Sequence, residues 1–229
     1  MSSLTLHYHP LSSYCHKVLI AIDVLGVDVD KRLLNLGDPA QRAAHMALWP
    51  TGKMPLLVDK GRVIPESSII IEHLQLHHAR DGRMVIPVDT DSALDVRLWD
   101  RLFDQYVMTP MQVFTADLLR PMDARDAVGV ARAREHLLSA YALIDGQLDR
   151  GNWITGDAFT MADCAAAPAL FYAVTYVPLP PQLVRCAAYI DRLMGHPPVA
   201  RAIDQARPYF RFYPGRSGLA RHYFDPQAS

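Results

Sequence analysis

Three short stretches carry the side chains that could do chemistry. Ser12-Ser13-Tyr14-Cys15 places three hydroxyls and a thiol side by side. Gly52-Lys53-Met54-Pro55-Leu56-Leu57-Val58 sets a lysine and a proline at the head of an apolar run. Val63-Ile64-Pro65-Glu66-Ser67-Ser68-Ile69 puts an acid and a hydroxyl where a helix-period pattern begins. A helix start offers unpaired backbone N–H groups and a partial positive charge, so this last stretch is a seat for an anion. The first stretch also precedes a helical pattern.

The chain as a whole is an ordinary soluble type. It has 229 residues, of which 50% are hydrophobic and 21% charged, with a formal net charge of −1. That balance supports a sizeable core and gives no basic surface for nucleic acid. No apolar run approaches the ~20 residues of a membrane helix, and Met1-Ser2-Ser3-Leu4 does not begin a secretory signal. Cys15, Cys164 and Cys186 are odd in number and far apart, which argues against a disulfide framework and for a reducing, cytoplasmic setting.

The elements that must position these groups follow in order. Leu4 to Tyr8 alternates as a short strand, and Ser12-Ser13 then start a helix that Gly26 ends. Lys31 to Leu36 is a second strand and residues 40–49 a short helix. Leu56-Leu57-Val58 and Arg62-Val63-Ile64 are strands joined by Asp59-Lys60-Gly61, a hairpin sequence in which glycine takes positive φ without steric cost. Ser67 to about Ala79 is a helix. From about Asp81 strands disappear. The pattern predicts one long helix over Ser92–Leu118, kinked at Pro110, and another over Ala124–Arg150. A third follows Thr160, with Asp163 at its N3 position as in a capping box and Phe159 and Cys164 at the staple positions. Two shorter helices lie near 182–194 and 197–206. The aromatic and arginine-rich tail from Arg207 gives no assignable pattern. The fold class is α+β: a βαβαββα unit over 1–82, a linker over 83–91 and an all-α unit over 92–229.

A βαβαββα unit with a proline opening its third strand is similar to the thioredoxin fold. With a helical domain added, the chain resembles the cytosolic glutathione S-transferases, in their serine-type, bacterial theta- and zeta-like classes. Four segments carry the resemblance: Ser12 to Val18, the first-helix motif; Gly52-Lys53-Met54-Pro55-Leu56-Leu57, the family's "GKVPLL" strand with Met for Val; Glu66-Ser67-Ser68-Ile69, its "ES-x-I" motif; and Phe159-Thr160-Met161-Ala162-Asp163, its second-domain capping motif. They lie in the family's order and span most of the chain.

The resemblance implies that Pro55 follows a cis peptide and that the backbone of Met54 pairs with the cysteinyl backbone of glutathione. It implies that Glu66 takes the γ-glutamyl ammonium and Ser67 the carboxylate, with Lys53 a weaker candidate for the glycyl carboxylate. Ser67 as a plain N-cap and Lys53 as a solvated lysine are the bland counterparts. The resemblance makes Ser12 the catalytic residue, donating to the glutathione sulfur. A free thiol is only a few per cent thiolate at pH 7, and lowering its pKa by ~2 units takes about 2.7 kcal/mol. A hydrogen bond to a charged group supplies roughly 1.5–3 kcal/mol and a helix N-terminus about 0.3–1 more. Ser13, Tyr8 and Tyr14 stay open as rival hydroxyls.

Cys15 reads as a packing thiol one turn deeper, although some relatives use a cysteine for a mixed disulfide. Cys164 and Cys186 read as core. His73, His77 and His78 offer an i, i+4 pair with no third ligand apparent, so no metal is expected. Tyr14, Phe103, Tyr106 and Met111 are the expected wall of an electrophile pocket between the domains. The reading implied is a homodimeric glutathione transferase with glutathione as co-substrate and a small hydrophobic electrophile as its second partner. A non-catalytic glutathione-binding carrier and a reductase working through Cys15 are the alternatives.

Overall fold

A computed structural model describes residues 4–35 and 37–223, with Arg150 described in its backbone only. Leu36, where the sequence pattern ends its second strand, lies outside the described residues, as do 1–3 and 224–229.

Four strands form one mixed sheet in the order β2-β1-β3-β4. Strand β1 (Leu4–Tyr8) runs parallel to β2 (Asp30–Leu33) and antiparallel to β3 (Leu56–Asp59), which pairs with β4 (Arg62–Ile64). The edge strand β2 is exposed throughout and carries Asp30, Lys31 and Arg32, charges that discourage edge-to-edge pairing. Its parallel partner is reached through α1 (Ser13–Leu25), the crossover a parallel pair requires. Ser12 caps α1, and Gly26 ends it in the left-handed region at φ 67°. Helix α2 (Pro39–Leu48) leads to β3, and α3 (Ser67–His78) follows β4 directly. Its Ile70, Ile71 and Leu74 are fully buried.

The predicted long helix is three segments: α4 (Thr90–Leu102), a π-helical turn over Phe103–Met108 and α5 (Thr109–Leu118). The departure from α geometry lies ahead of Pro110. The wider i→i+5 turn passes the Thr109 N–H to the Asp104 carbonyl, and Pro110 falls in the first turn of α5, where its missing N–H matters least. Helix α6 (Ala127–Gln147) is shorter at both ends than expected and closes with a 3-10 turn over Leu148–Arg150.

Helix α7 (Met161–Tyr176) is the centre of the helical part. Every residue from Met161 to Ala173 is buried. A helix apolar on all sides needs partners on all sides, and its alanines let α1 and α4 approach. The capping box forms: Asp163 Oδ2 accepts from Thr160 N–H at 2.8 Å. Phe159 stacks on His196, ring centroids 4.1 Å apart. Helices α8 (Val184–Gly195) and α9 (Pro197–Ala206) complete the bundle. The unassigned tail forms 3-10 turns over Arg207–Phe212, Arg216–Gly218 and Arg221–Tyr223, which send Phe210, Tyr213 and Leu219 into the core. Among the described residues no helix is long and apolar enough to cross a membrane.

Candidate active site

A cavity of about 560 Å³ opens where the starts of α1 and α3 meet the middle of the α4–α5 rod. Ser12 and Tyr14 come to it from α1, Lys53, Met54 and Pro55 from the loop before β3, and Glu66 and Ser67 from the start of α3. Residues 54 positions apart in sequence thus share one wall, because β1 and β3 pair and both helices begin at the same end of the sheet.

Ser12 is both cap and cavity residue. Its Oγ accepts from the Cys15 N–H at 3.3 Å and also hydrogen-bonds with the Cys15 thiol, and as a hydroxyl it has one hydrogen to donate. Ser13 is buried, and Tyr8 packs against the core without reaching the cavity. Tyr14 does reach it. Burial foremost, then the negative Asp104, pushes its phenol up to about 12 against a hydrogen bond with Thr109, so it stays protonated. Burial pushes the Cys15 thiol up to about 11, opposed by hydrogen bonds with Ser12 and the His9 backbone.

The Met54–Pro55 peptide is cis. The carbonyl of Lys53 accepts from the buried His45 Nε2 at 3.0 Å, a support for this loop that the sequence pattern did not suggest. Glu66, not Ser67, is the N-cap of α3. It takes φ 68° and ψ 118°, a region that costs a non-glycine residue about 1–3 kcal/mol. Its side chain makes no capping bond and stays exposed. Ser67 is the first helical residue and is buried at the cavity floor.

The electrophile wall differs from expectation. Phe103 and Met111 are buried in the core, Phe103 against Trp99 at 6.1 Å between centroids. Tyr106 is exposed and lines a separate small void with Leu143 and Ile144. Of the four expected residues only Tyr14 faces the cavity. The rod instead presents Arg101, Asp104, Gln105, Thr109 and Gln112. The apolar stripe packs on α6 and α7, and the polar stripe at helical spacing on the other face forms the wall. That spacing was readable in the sequence and marks the residues that the apolar reading missed.

Beneath the cavity lies a buried charge network. Lys17, fully buried, sits 2.7 Å from Asp100 Oδ1 and donates to Asp104 Oδ2 and Ser68 Oγ, each at 2.9 Å. Ser68 Oγ donates to Asp100 Oδ2 at 2.6 Å. Burial raises the Asp104 carboxyl, Lys17 opposes the rise and Asp100 adds to it. The second oxygen of Asp104 is buried with no hydrogen-bond partner among the described residues, on a side chain that lines the cavity.

Away from the cavity, the histidines do find a third donor. Asp59, at the end of β3, accepts from His73 Nε2 at 2.9 Å and His78 Nε2 at 2.8 Å. The pair that converges is 73 and 78, while His77 is exposed.

The chain is similar to known proteins over most of its length. Residues 6–82 match the family description "Glutathione S-transferase, N-terminal domain" and residues 127–211 its C-terminal counterpart. Glutathione S-transferase 3 of Zea mays is 30% identical over 176 residues, 74% of this chain and 79% of that protein. A stringent starvation protein A homolog of Coxiella burnetii is 25% identical over 170 residues, 74% of this chain and 76% of that protein. The crystal structure of a glutathione S-transferase from Methylobacillus flagellatus with glutathione bound superposes with a TM-score of 0.78 at 25% identity, covering 87% of this chain and 98% of that one.

Proposed function

The chain belongs to the glutathione S-transferase family, and from that premise we propose that it binds glutathione in the 560 Å³ cavity and delivers it, as a thiolate, to an electrophile. The observation that carries this reading is the convergence of Ser12, Lys53, Met54, Pro55, Glu66 and Ser67, from three separate stretches, on one cavity. In this reading Met54 pairs with the cysteinyl backbone and Ser67, at a helix start, takes the γ-glutamyl carboxylate. Glu66 takes the ammonium, with the unpaired Asp104 oxygen as a second acceptor. Lys53 faces the glycyl carboxylate. Ser12 donates to the sulfur in the manner of the serine-type classes, while the bound geometry supplies proximity. The polar wall of Arg101, Gln105, Thr109 and Gln112 favours an electrophile with a polar or anionic substituent over a purely apolar one.

The unit over 1–82 binds glutathione, the linker 83–91 joins it to the helical unit, and exposed Ile69, Leu94 and Leu98 suit a second copy of the chain. Sedimentation would read a dimer. The three free, buried cysteines fit a reducing, cytoplasmic setting.

Replacing Ser12 by Ala tests the mechanism. Losing a hydrogen bond to a charged sulfur, worth roughly 1.5–3 kcal/mol, lowers turnover about 10–100-fold with glutathione affinity nearly unchanged. Unchanged turnover removes Ser12 from the chemistry. A second reading, a glutathione-binding protein without transferase activity, draws on the comparable similarity to a relative that carries a different name. The ultraviolet thiolate absorbance of bound glutathione at neutral pH separates the two: present for the enzyme, absent for the carrier.

A further inference from the structure

Asp59, His73 and His78 stand apart from the glutathione cavity. Asp59 is four residues past Pro55, about 13 Å along an extended strand, and His78 is eleven residues past Ser67, about 16 Å along a helix. Nothing in the transferase reading uses them.

We propose that these three residues form a site for a divalent transition metal of zinc's class, clasping the end of β3 to the last turns of α3. The donor chemistry is right, because two imidazole nitrogens and a carboxylate oxygen suit such ions. The placement is also right. The three donor atoms lie within 4.8 Å of one another, and both imidazoles point Nε2 at one oxygen, Asp59 Oδ2. Zinc bonds of about 2.0–2.2 Å at a tetrahedral angle put neighbouring donors roughly 3.3–3.5 Å apart. The nitrogen–oxygen separations of 2.9 and 2.8 Å need only open by about half an ångström.

A second observation points the same way. Asp59 Oδ1 is buried and has no hydrogen-bond partner among the described residues. Two N–H groups crowd one oxygen while the other, equally able to accept, is left without a donor. A cation at Oδ2 replaces the two crowded N–H groups, and one that also reaches Oδ1 gives that oxygen its partner. Each imidazole then turns its Nε2 lone pair, in place of an N–H, toward the shared centre. The donors come from a strand end and a helix, which are stiff supports, and their partial exposure leaves the fourth position to solvent.

The test uses the full chain, stripped with chelator and free of glutathione, whose thiol would compete for metal. Zinc is titrated by calorimetry, and cobalt(II) is used as a visible-absorption reporter of tetrahedral binding. The expected result is one zinc per chain and a rise in melting temperature. His73→Gln and His78→Gln should each weaken binding by at least about tenfold, since even partners outside the ligand shell are worth roughly 10–100-fold. His136→Gln, at an exposed position elsewhere, should bind as the parent does. Turnover with glutathione should be the same in all four proteins. A parent chain that takes up no zinc at about 100 μM overturns the proposal, whatever the variants do. So does equal uptake by the parent and both glutamine variants.

Discussion

Lys17 on α1 and Asp104 in the π-helical turn, 87 residues apart in sequence, meet at 2.9 Å with the lysine sealed from water. The same ammonium touches Asp100 and Ser68, so one cation joins the helix capped by Ser12, the helix that begins at Ser67 and the rod opposite them. The proposed sulfur end and γ-glutamyl end of the cavity are thereby held to one point. The Ser68 hydroxyl, which both accepts from Lys17 and donates to Asp100, completes the lysine's set of partners. Asp100 and Asp104 are four residues apart on the rod, so both reach the lysine from one helix face, while Gln105 lines the cavity.

Replacing Lys17 by Met leaves two carboxylates buried without their counter-ion. Breaking a buried ion pair by removing one partner costs about 3–5 kcal/mol. In a chain of this size each kcal/mol moves the melting temperature by about 2–4 °C, so the variant should melt roughly 6–20 °C lower. Thermal unfolding followed by circular dichroism checks it. A shift below about 2 °C would mean the network contributes little.

Cys15 offers a sharp contrast with Ser12. A thiol held at about 11 is only about one part in 10⁴ thiolate at pH 7, and Cys15 is fully buried. Cys15→Ala should therefore keep turnover within about twofold and cost about 1–2 kcal/mol for the small cavity. A mass shift of one glutathione on the parent chain, together with lost activity in the variant, would restore the reductase alternative.

Much of this was legible from local signals. Ser12 with Gly26, Asp59-Lys60-Gly61 and Thr160 with Asp163 state their turns and caps within a few residues, and the elements form there. The residues that line the cavity from α1, the loop before β3 and α3 were legible because their motifs are compact. Three things were not. The π-helical turn over Phe103–Met108 holds no glycine or proline within it to mark it in the sequence. The face of the rod turned to the cavity depends on what α6 and α7 cover, and a sequence with two stripes does not say which is inward. Asp59 joins the histidines only once β3 lies beside α3, so a search along the helix alone misses it. The last two are contacts between residues remote in sequence.

His16 makes stability depend on pH. It is fully buried with Nε2 donating to the Pro10 carbonyl, and burial lowers its pKa from 6.5 to about 4, against that hydrogen bond. The unfolded chain then binds a proton at higher pH than the folded one. The neutral imidazole's stability is complete above pH 6.5 and is lost as pH falls toward 4. Between pH 7.5 and 4.5 this one group removes about 2.5 kcal/mol. Urea unfolding of the parent and of His16→Gln at the two pH values isolates it: the parent should lose about that much more than the variant. Equal losses would show that the imidazole is protonated with little penalty in the fold.

Asp163 is the side chain on which the start of α7 depends most. Fully buried, its Oδ2 accepts from the Thr160 N–H at 2.8 Å and the Thr160 hydroxyl at 2.9 Å. Its Oδ1 accepts from the Ile154 N–H at 3.1 Å and the Tyr189 hydroxyl at 2.6 Å. One carboxylate thus caps α7, anchors the loop before it and ties in α8. Burial raises its carboxyl, and these four donors pull it back. Asp163→Ala strands buried donors on all three segments, at about 1–3 kcal/mol each where water cannot follow. The expected loss is about 4 kcal/mol or more, at the exceptional end for a single substitution. Asp163→Asn keeps the shape and the bonds at Oδ1 but turns an NH₂ toward the Thr160 N–H, two donors face to face. It should fall between the parent and Ala. Denaturant unfolding of the three proteins checks the order, and an asparagine variant as stable as the parent would show that water fills the cap.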